Sequence, residues 1–523
     1  MARILLAEDE PVLARNVARS LESAGSEVLH APSAAATRHA LDRGPYDLVI
    51  ADISLGDGDA LGVIGEAART LVGTPIIVMT GQDSVRNRAR AETLPAAAFL
   101  SKPFALSHLR ELVWSLTRAP NGAGARGPRV VMYSHDTIGL GHMRRNSAIA
   151  RELVARVPNL SVVMLVGCPA GMVFEARPGI DTVKLPSLAK IGRGTFQAGS
   201  LRVDAKTVRD LRTRIIESVM EAFAPDLLLV DHEPGGAMGE LLPVLEALPA
   251  NAGPRAVLGL RDILDEPART RAAWAEAGTD RLIAERYDHV LVYGDPEFFP
   301  TVEAYGLDAL KPEACTECGV VTTASPQAQA LAPAVPARVV VSGGGGRDAY
   351  PLIETAIAAV QSIPVRRRPE LTVVTGALMD EELKIEAARI GASAGVRVLE
   401  HVHDMPALMA GADLLVTMTG YNSINEALAV GCPIVTVPRL GPSAEQRLRA
   451  EALERAGLAV HLRREELDPK RLAEIMLDPP RRPASRIRTD GASNAARVLA
   501  RMLEDIPSHQ EEVPCPVNES AMS

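Results

Sequence analysis

Short apolar runs alternate with longer amphipathic stretches in three successive series. In the first 118 residues, apolar runs at Arg3–Ala7, Glu27–His30, Asp47–Ala51, Pro75–Met79 and Ala97–Leu100 are each followed by a segment of helical spacing. Leu48-Val49-Ile50 and Ile76-Ile77-Val78 are apolar at every position, which suits strands of a parallel sheet covered by helices on both faces. A second series (Arg129–Tyr133, Ser161–Val166, Asp226–Val230, Arg255–Leu260, His289–Tyr293) and a third (Ala337–Ser342, Leu371–Thr375, Val396–Leu399, Leu414–Thr417, Pro433–Val437) repeat the pattern. The spacing predicts an α/β chain of three domains, 1–118, 129–321 and 337–505. A Gly- and Pro-bearing linker at 119–128 and an Ala-, Pro-, Ser- and Gln-rich hinge at 322–336 separate them, and 506–523 is expected to be a disordered tail.

Composition removes several function classes. A formal charge of −9 and only 3 % aromatic residues leave neither a basic footprint nor stacking surfaces for nucleic acid. No run approaches the about 18 apolar residues of a membrane span, and Glu8 interrupts the start before a signal-peptide apolar region could form. A cytoplasmic location is expected. The basic runs Arg366-Arg367-Arg368 and Arg481-Arg482 read as solvated faces, with peripheral contact at the inner membrane face as the lesser alternative. Five cysteines, an odd number, fit reduced thiols. Cys315-Thr316-Glu317-Cys318 lacks a second ligand pair for zinc and reads as an ordinary loop, and His401-Val402-His403 is likewise not expected to bind metal.

In the first series Glu8 and Asp9 follow the first strand, Asp52 ends the third, Thr80 the fourth, and Lys102 follows the fifth. The ends of such strands converge on one edge of a doubly wound sheet, where ligands bind. Three carboxylates crowded there repel one another, and a hard divalent cation such as Mg²⁺ relieves the repulsion. Asp52 is then placed to attack a phosphoryl donor, with Lys102 and Thr80 meeting the added charge. This constellation resembles the receiver domain of two-component response regulators over essentially all of 1–118. The resemblance implies a flavodoxin-like fold, phosphorylation of Asp52 by a histidine kinase or phosphotransfer protein, Mg²⁺ held by Glu8, Asp9 and Asp52, and rearrangement of Thr80 and Phe99. Gly56 stands where the family usually has Pro, and Ala60 where it often has Gly.

The second series opens with Ser134-His135-Asp136-Thr137-Ile138-Gly139-Leu140-Gly141-His142, whose glycines permit a tight turn and put His142 at a helix start. It lacks the third glycine of a dinucleotide fingerprint and the Lys-Ser/Thr of a Walker loop. The third series adds Gly343-Gly344-Gly345-Gly346 after its first strand, either an anion-binding nest or a structural turn. Thr419-Gly420-Tyr421-Asn422-Ser423 puts a small polar loop at a helix N-terminus, suited to a diphosphate, with Glu426 placed to accept hydrogen bonds from ribose hydroxyls. Glu445 and Gln446 follow a later strand and are candidates for sugar hydroxyls.

Residues 129 to about 505 are similar to GT-B glycosyltransferases, in the family-28-like group that contains the lipid-I N-acetylglucosaminyltransferase of peptidoglycan synthesis. The resemblance implies two Rossmann-like domains with a nucleotide-diphosphate sugar held mainly by the second. It places diphosphate loops at Gly343 to Gly346 and Thr419 to Ser423, including Gly420 and Asn422, the ribose carboxylate at Glu426, and the donor-sugar residue at Gln446. Glu445 stands where the lipid-I enzyme has a second Gln. His142 is the candidate base for the acceptor hydroxyl and Asp231, at the end of Leu229-Val230-Asp231, its candidate partner. The acceptor is expected to be lipid-linked or a polysaccharide. No Asp-x-Asp metal motif is evident in this half, so a metal-independent transfer is expected. Two other readings stay open: an epimerase of UDP-N-acetylglucosamine on the same fold, and a non-catalytic effector that senses nucleotide sugars.

Overall fold

The computed structural model describes residues 2–22, 25–66, 71, 74–80, 96–102, 104, 106–117, 126–134, 141–168, 178–192, 195–249, 253–322, 334–402, 404–441, 443–482 and 487–506. The loop 135–140, His403, most of the expected hinge and all but the first residue of the expected tail lie outside them. The chain divides into two compact units, 1–125 with 176–178, and 126–175 with 179–523.

In the first unit five strands pair in parallel in the order Glu27–Ala31, Arg3–Ala7, Leu48–Asp52, Ile76–Thr80, Ala96–Ser101. The absence of apolar/polar alternation in these strands now has its cause. Ile4, Leu6, Ile50 and Ile77 pack under the helices Pro11–Glu22 and Leu106–Thr117, while Leu5, Ala7, Val49 and Val78 pack under Ala34–Leu41 and Ala60–Glu66. A two-residue pairing of Ser54–Leu55 with Gly58–Asp59, not expected from the sequence, shapes the loop after Asp52.

The second unit holds two parallel sheets. The first runs Ile180–Lys184, Ser161–Val166, Arg129–Ser134, Leu227–Asp231, Arg255–Arg261, His289–Tyr293, Cys315–Glu317. The second runs Arg397–Leu399, Glu370–Val374, Arg338–Ser342, Leu414–Thr417, Ile434–Thr436, Val460–His461. Both follow the 3-2-1-4-5-6 order of dinucleotide-binding folds, the first with an added edge strand. That edge strand contains Cys315, so the expected loop at 315–318 is corrected. Its backbone completes the sheet beside His289–Tyr293, and burial pushes the Cys318 thiol up to about 12. The hairpin Leu188–Gly192/Thr195–Ala198 and the edge strands Ile180–Lys184 and Val460–His461 were also not legible. Each is short and lacks a continuous apolar run, and its strand character comes from the neighbour it pairs with.

The last helix, Gly491–Glu504, belongs by sequence to the third series yet packs in the core of the second. Ala495, Leu499 and Met502 lie against Met143, Ile149 and Leu153 of the helix Gly141–Arg156. Its apolar face thus ties the two lobes of this unit together.

In all three sheets strand order reverses between the first and third or first and fourth strands. Such a switch point opens a crevice at the carboxyl edge. The paired strand ends there are Ala7 with Ala51, Ser134 with Asp231, and Ser342 with Thr417.

Candidate functional site

At the first crevice Glu8 is fully buried and Asp9 exposed. The ligand atoms of Glu8, Asp9 and Asp52 lie within 4.8 Å of one another. Lys102 Nζ donates to Glu8 Oε2 at 2.7 Å and to Asp52 Oδ2 at 2.6 Å. Burial raises the Glu8 carboxyl above its ordinary range despite Lys102. For Lys102 burial works the other way, but its bonds to Asp52 and Glu8 outweigh it and hold the ammonium's proton more tightly. The three carboxylates fit a hard divalent cation, since their oxygens converge and carry more negative charge than the Lys102 ammonium offsets. Thr80 and Phe99 end and precede the end of the last two strands, in register with Ser101 and Val78; their side chains lie outside the described residues. The sequence reading missed Asp57. Its carboxylate accepts from Ala34 N at 2.6 Å and Ala35 N at 3.3 Å, fastening the loop after Asp52 to a helix N-terminus.

At the second crevice the helix Gly141–Arg156 begins immediately before His142, and His142 Nδ1 lies 2.5 Å from Asp231 Oδ2. Asp231 is buried at the end of its strand. Desolvation alone would raise its pKa, but Arg145 and His142 hold the carboxyl below the usual carboxylate range. The chain then turns sharply: His232 has φ +71, and Glu233 N donates to Asp231 O at 2.9 Å. This conformation is costly for a non-glycine residue. His142 and His232 rings stand 5.3 Å apart, and His232 Nε2 lies 3.3 Å from Arg261 Nη2.

A cleft of about 1270 Å³ is lined by His142, His232, Glu233 and Arg261 on one side and by Arg347, Arg439, Ser443 and Glu445 on the other. Burial raises the Glu233 carboxyl. Glu445 accepts from Arg261 Nη1 at 2.9 Å and from Arg449 Nη1 at 3.1 Å. These two guanidinium groups outweigh burial and hold its pKa down. Gln446 is partly committed, its Oε1 accepting from Arg439 N at 3.1 Å. Behind Glu445, Arg449 pairs with Asp262 at 2.7 and 3.2 Å, both side chains fully buried between the lobes. Loss of either partner from such a pair costs about 3–5 kcal/mol, because a buried charge is left uncompensated.

The third crevice carries the two glycine-bearing loops. Gly343 and Gly346 are required by internal packing: a Cβ would meet Ala349 Cβ at 2.1 Å and the Thr375 carbonyl oxygen at 2.0 Å. Gly344 and Gly345 are exposed, and the Gly344 amide donates to Ser342 Oγ at 3.3 Å. Thr419 is buried with φ +67, and Gly420 caps the helix Tyr421–Ala429, leaving the Asn422 and Ser423 side chains half-buried. A Cβ on Gly141 would come within 2.8 Å of Asn422 Nδ2, so this loop faces the start of the His142 helix. Glu426 does not line the large cleft. It is 4 % exposed, 3.7 Å from Arg144 Nη1, at a gap of about 10 Å³ that admits one water and no ribose.

Among the described residues no metal-ligating cluster involves His401, and no helix is long and apolar enough to cross a membrane.

Residues 4–114 match the response regulator receiver domain, and 338–501 the glycosyltransferase family 28 C-terminal domain. UDP-N-acetylglucosamine–N-acetylmuramyl-(pentapeptide) pyrophosphoryl-undecaprenol N-acetylglucosamine transferases are similar to this chain. The protein of Chromobacterium violaceum is 33 % identical over 154 residues, covering 29 % of this chain and 42 % of its own. That of Methylibium petroleiphilum is 33 % identical over 167 residues, covering 32 % and 44 %. The match spans less than half the length of these relatives. Among solved structures, MurG of Acinetobacter baumannii covers 72 % of this chain and 99 % of its own at 17 % identity and TM-score 0.45. The CheY-like receiver domain protein of Methanospirillum hungatei covers 22 % and 94 % at 25 % identity and TM-score 0.22.

Proposed function

We propose that this chain, which joins a response regulator receiver domain to a glycosyltransferase family 28 C-terminal domain, is a glycosyltransferase regulated by phosphorylation of Asp52. The observation that carries the transferase reading is the 2.5 Å contact of His142 with buried Asp231, at the mouth of a cleft whose far wall belongs to the other lobe. An acceptor hydroxyl bound there gives its proton to His142 Nε2 as its oxygen bonds to the anomeric carbon, while the bond from that carbon to the diphosphate breaks. Asp231 accepts the Nδ1–H and stabilises the imidazolium. Amides at the N-terminus of Tyr421–Ala429 and in the exposed Gly344–Gly345 turn meet the departing diphosphate charge. Glu426 takes the ribose, and Gln446 with the Arg-held Glu445 takes the donor sugar. The relatives' names point to UDP-N-acetylglucosamine as the first donor to try and to a lipid-linked sugar as acceptor.

In the receiver, Asp52 is the nucleophile toward a phosphoryl group supplied by a histidine kinase or phosphotransfer protein. Glu8, Asp9 and Asp52 would hold Mg²⁺, which when bound draws the phosphoryl oxygens and the carboxylates together. Lys102, already between Glu8 and Asp52, stays with the added charge.

The test is incubation of the full chain with radiolabelled UDP-, GDP- and dTDP-sugars, with and without a lipid extract. Acceptor-dependent transfer supports the reading; donor interconversion without acceptor indicates an epimerase, and binding without turnover a sensor. Glu426→Ala is expected to weaken the best-bound nucleotide by one to two decades in calorimetry, because a charge-assisted bond to ribose contributes about 1.5–3 kcal/mol. Acetyl phosphate treatment is expected to change donor affinity or turnover by about five- to 150-fold, the range of a 1–3 kcal/mol coupling. Identical kinetics before and after treatment would remove the regulatory half of the proposal.

A further inference from the structure

We infer that Arg145 is a positioning residue for the His142–Asp231 pair, and that Tyr421, from the other lobe, completes the seat that holds Arg145 in place. The inference deepens the transferase reading and rests on it for its consequence in catalysis.

Arg145 follows His142 by three residues on one helix, so both side chains leave the same face. Its Nε donates to Asp231 Oδ1 at 3.0 Å, and its Nη2 reaches Oδ1 at 2.9 Å and Oδ2 at 2.8 Å. Oδ2 is the oxygen that His142 Nδ1 also contacts, and Arg145 Nη2 stands 3.0 Å from that same Nδ1. A guanidinium has donors only. With Arg145 locked on the carboxylate, Nδ1 carries its proton toward Asp231 and Nε2 is left as the basic nitrogen. If Arg145 slipped toward Nδ1, the imidazole would accept there, Nε2 would carry the proton, and no base would face the cleft.

Two aromatic rings hold the guanidinium in place. Arg145 lies 5.2 Å from the Tyr293 ring of its own lobe and 5.4 Å from the Tyr421 ring. Tyr421 is the first residue of the helix behind the Thr419 to Ser423 loop, yet it is buried in the core around Met143 and Ile149. Its hydroxyl donates to the Tyr293 carbonyl oxygen at 2.9 Å and accepts from Val321 N at 3.2 Å. The loop proposed to hold the diphosphate and the proposed base therefore share one anchored side chain.

The experiment is an NMR titration of the full chain carrying ring-labelled histidine, with His142 assigned by His142→Gln. Among the described residues, the groups facing the imidazole include Asp231, Arg145, His232 and Glu233, with Arg261 beyond His232. Arg145→Met removes the guanidinium beside Nδ1 and leaves Asp231 its full charge. The His142 midpoint is expected to rise by about one unit or more, a tenfold gain in proton affinity. Arg145→Lys keeps the charge without the fork, so the midpoint should stay near wild type while hydrolysis of UDP-N-acetylglucosamine falls about tenfold. Tyr421→Leu lets Arg145 slip toward Nδ1, where its donors favour the neutral ring, so the midpoint should move opposite to that of Arg145→Met, by about half a unit, a threefold change. An unchanged midpoint in folded Arg145→Met overturns the inference; if that variant does not fold, an unchanged midpoint in Tyr421→Leu does. If wild type hydrolyses no UDP-N-acetylglucosamine, the choice of donor fails while the titrations still decide the role of Arg145.

Discussion

Asp52→Asn is expected to lose all labelling by radioactive acetyl phosphate in Mg²⁺, while its unfolding transition stays where the wild type's is. The amide matches the carboxylate in shape but has no anionic oxygen to form an acyl phosphate. Substitution also removes the charge of one acceptor of Lys102, whose bond to buried Glu8 at 2.7 Å remains. The pocket therefore keeps one ion pair and loses part of its crowding, so the fold has no reason to fail. Chelation of Mg²⁺ should abolish labelling of the wild type as completely as the mutation does, because Glu8, Asp9 and Asp52 then repel the incoming phosphoryl oxygens. Labelling that survives in Asp52→Asn would place the phosphoryl acceptor elsewhere and end the receiver half of the proposal.

His142→Ala is expected to lower sugar transfer by about 10²–10⁴-fold, the usual contribution of a positioned general base. The proposed nucleotide site lies largely on the other lobe, so calorimetric affinity for UDP is expected to change less than turnover does. Asp231→Asn tests the pair from the other side. The amide can still touch His142, but it leaves Arg145, 3 % exposed, without its charge partner, so a loss of stability should accompany the loss of rate. Transfer that is undiminished in His142→Ala would mean that another group, with Glu233 in the same cleft the first to examine, takes the acceptor's proton.

The division between legible and hidden features follows from how each is encoded. In a parallel sheet covered on both faces, a strand is a continuous apolar run, and the residue just past it lies at the carboxyl edge whatever the rest of the chain does. That is why Glu8, Asp52, Asp231 and the loops after Ser342 and Met418 could be picked out one by one. Edge strands such as Cys315–Glu317 are polar at intervals and exist because a neighbour offers free backbone groups, so no local pattern announces them. Gly343 and Gly346 were visible as glycines, but the sequence could not show that Ala349 and Thr375, not a ligand, exclude a side chain there.

The amino-acid sequence by itself determined the three α/β series, their central strands and the chemical groups at those strand ends, because each is written in contiguous residues with a local physical cause. Only the tertiary structure decided what those groups are bonded to. Arg145 meets Asp231 across 86 positions, Tyr421 meets Tyr293 across 128, and Arg449 meets Asp262 across 187. On a helix each of these arginines looks like part of a solvated face. It becomes a buried, paired and oriented charge only when residues of the two lobes close around it, since burial is a property of the neighbours and not of the residue.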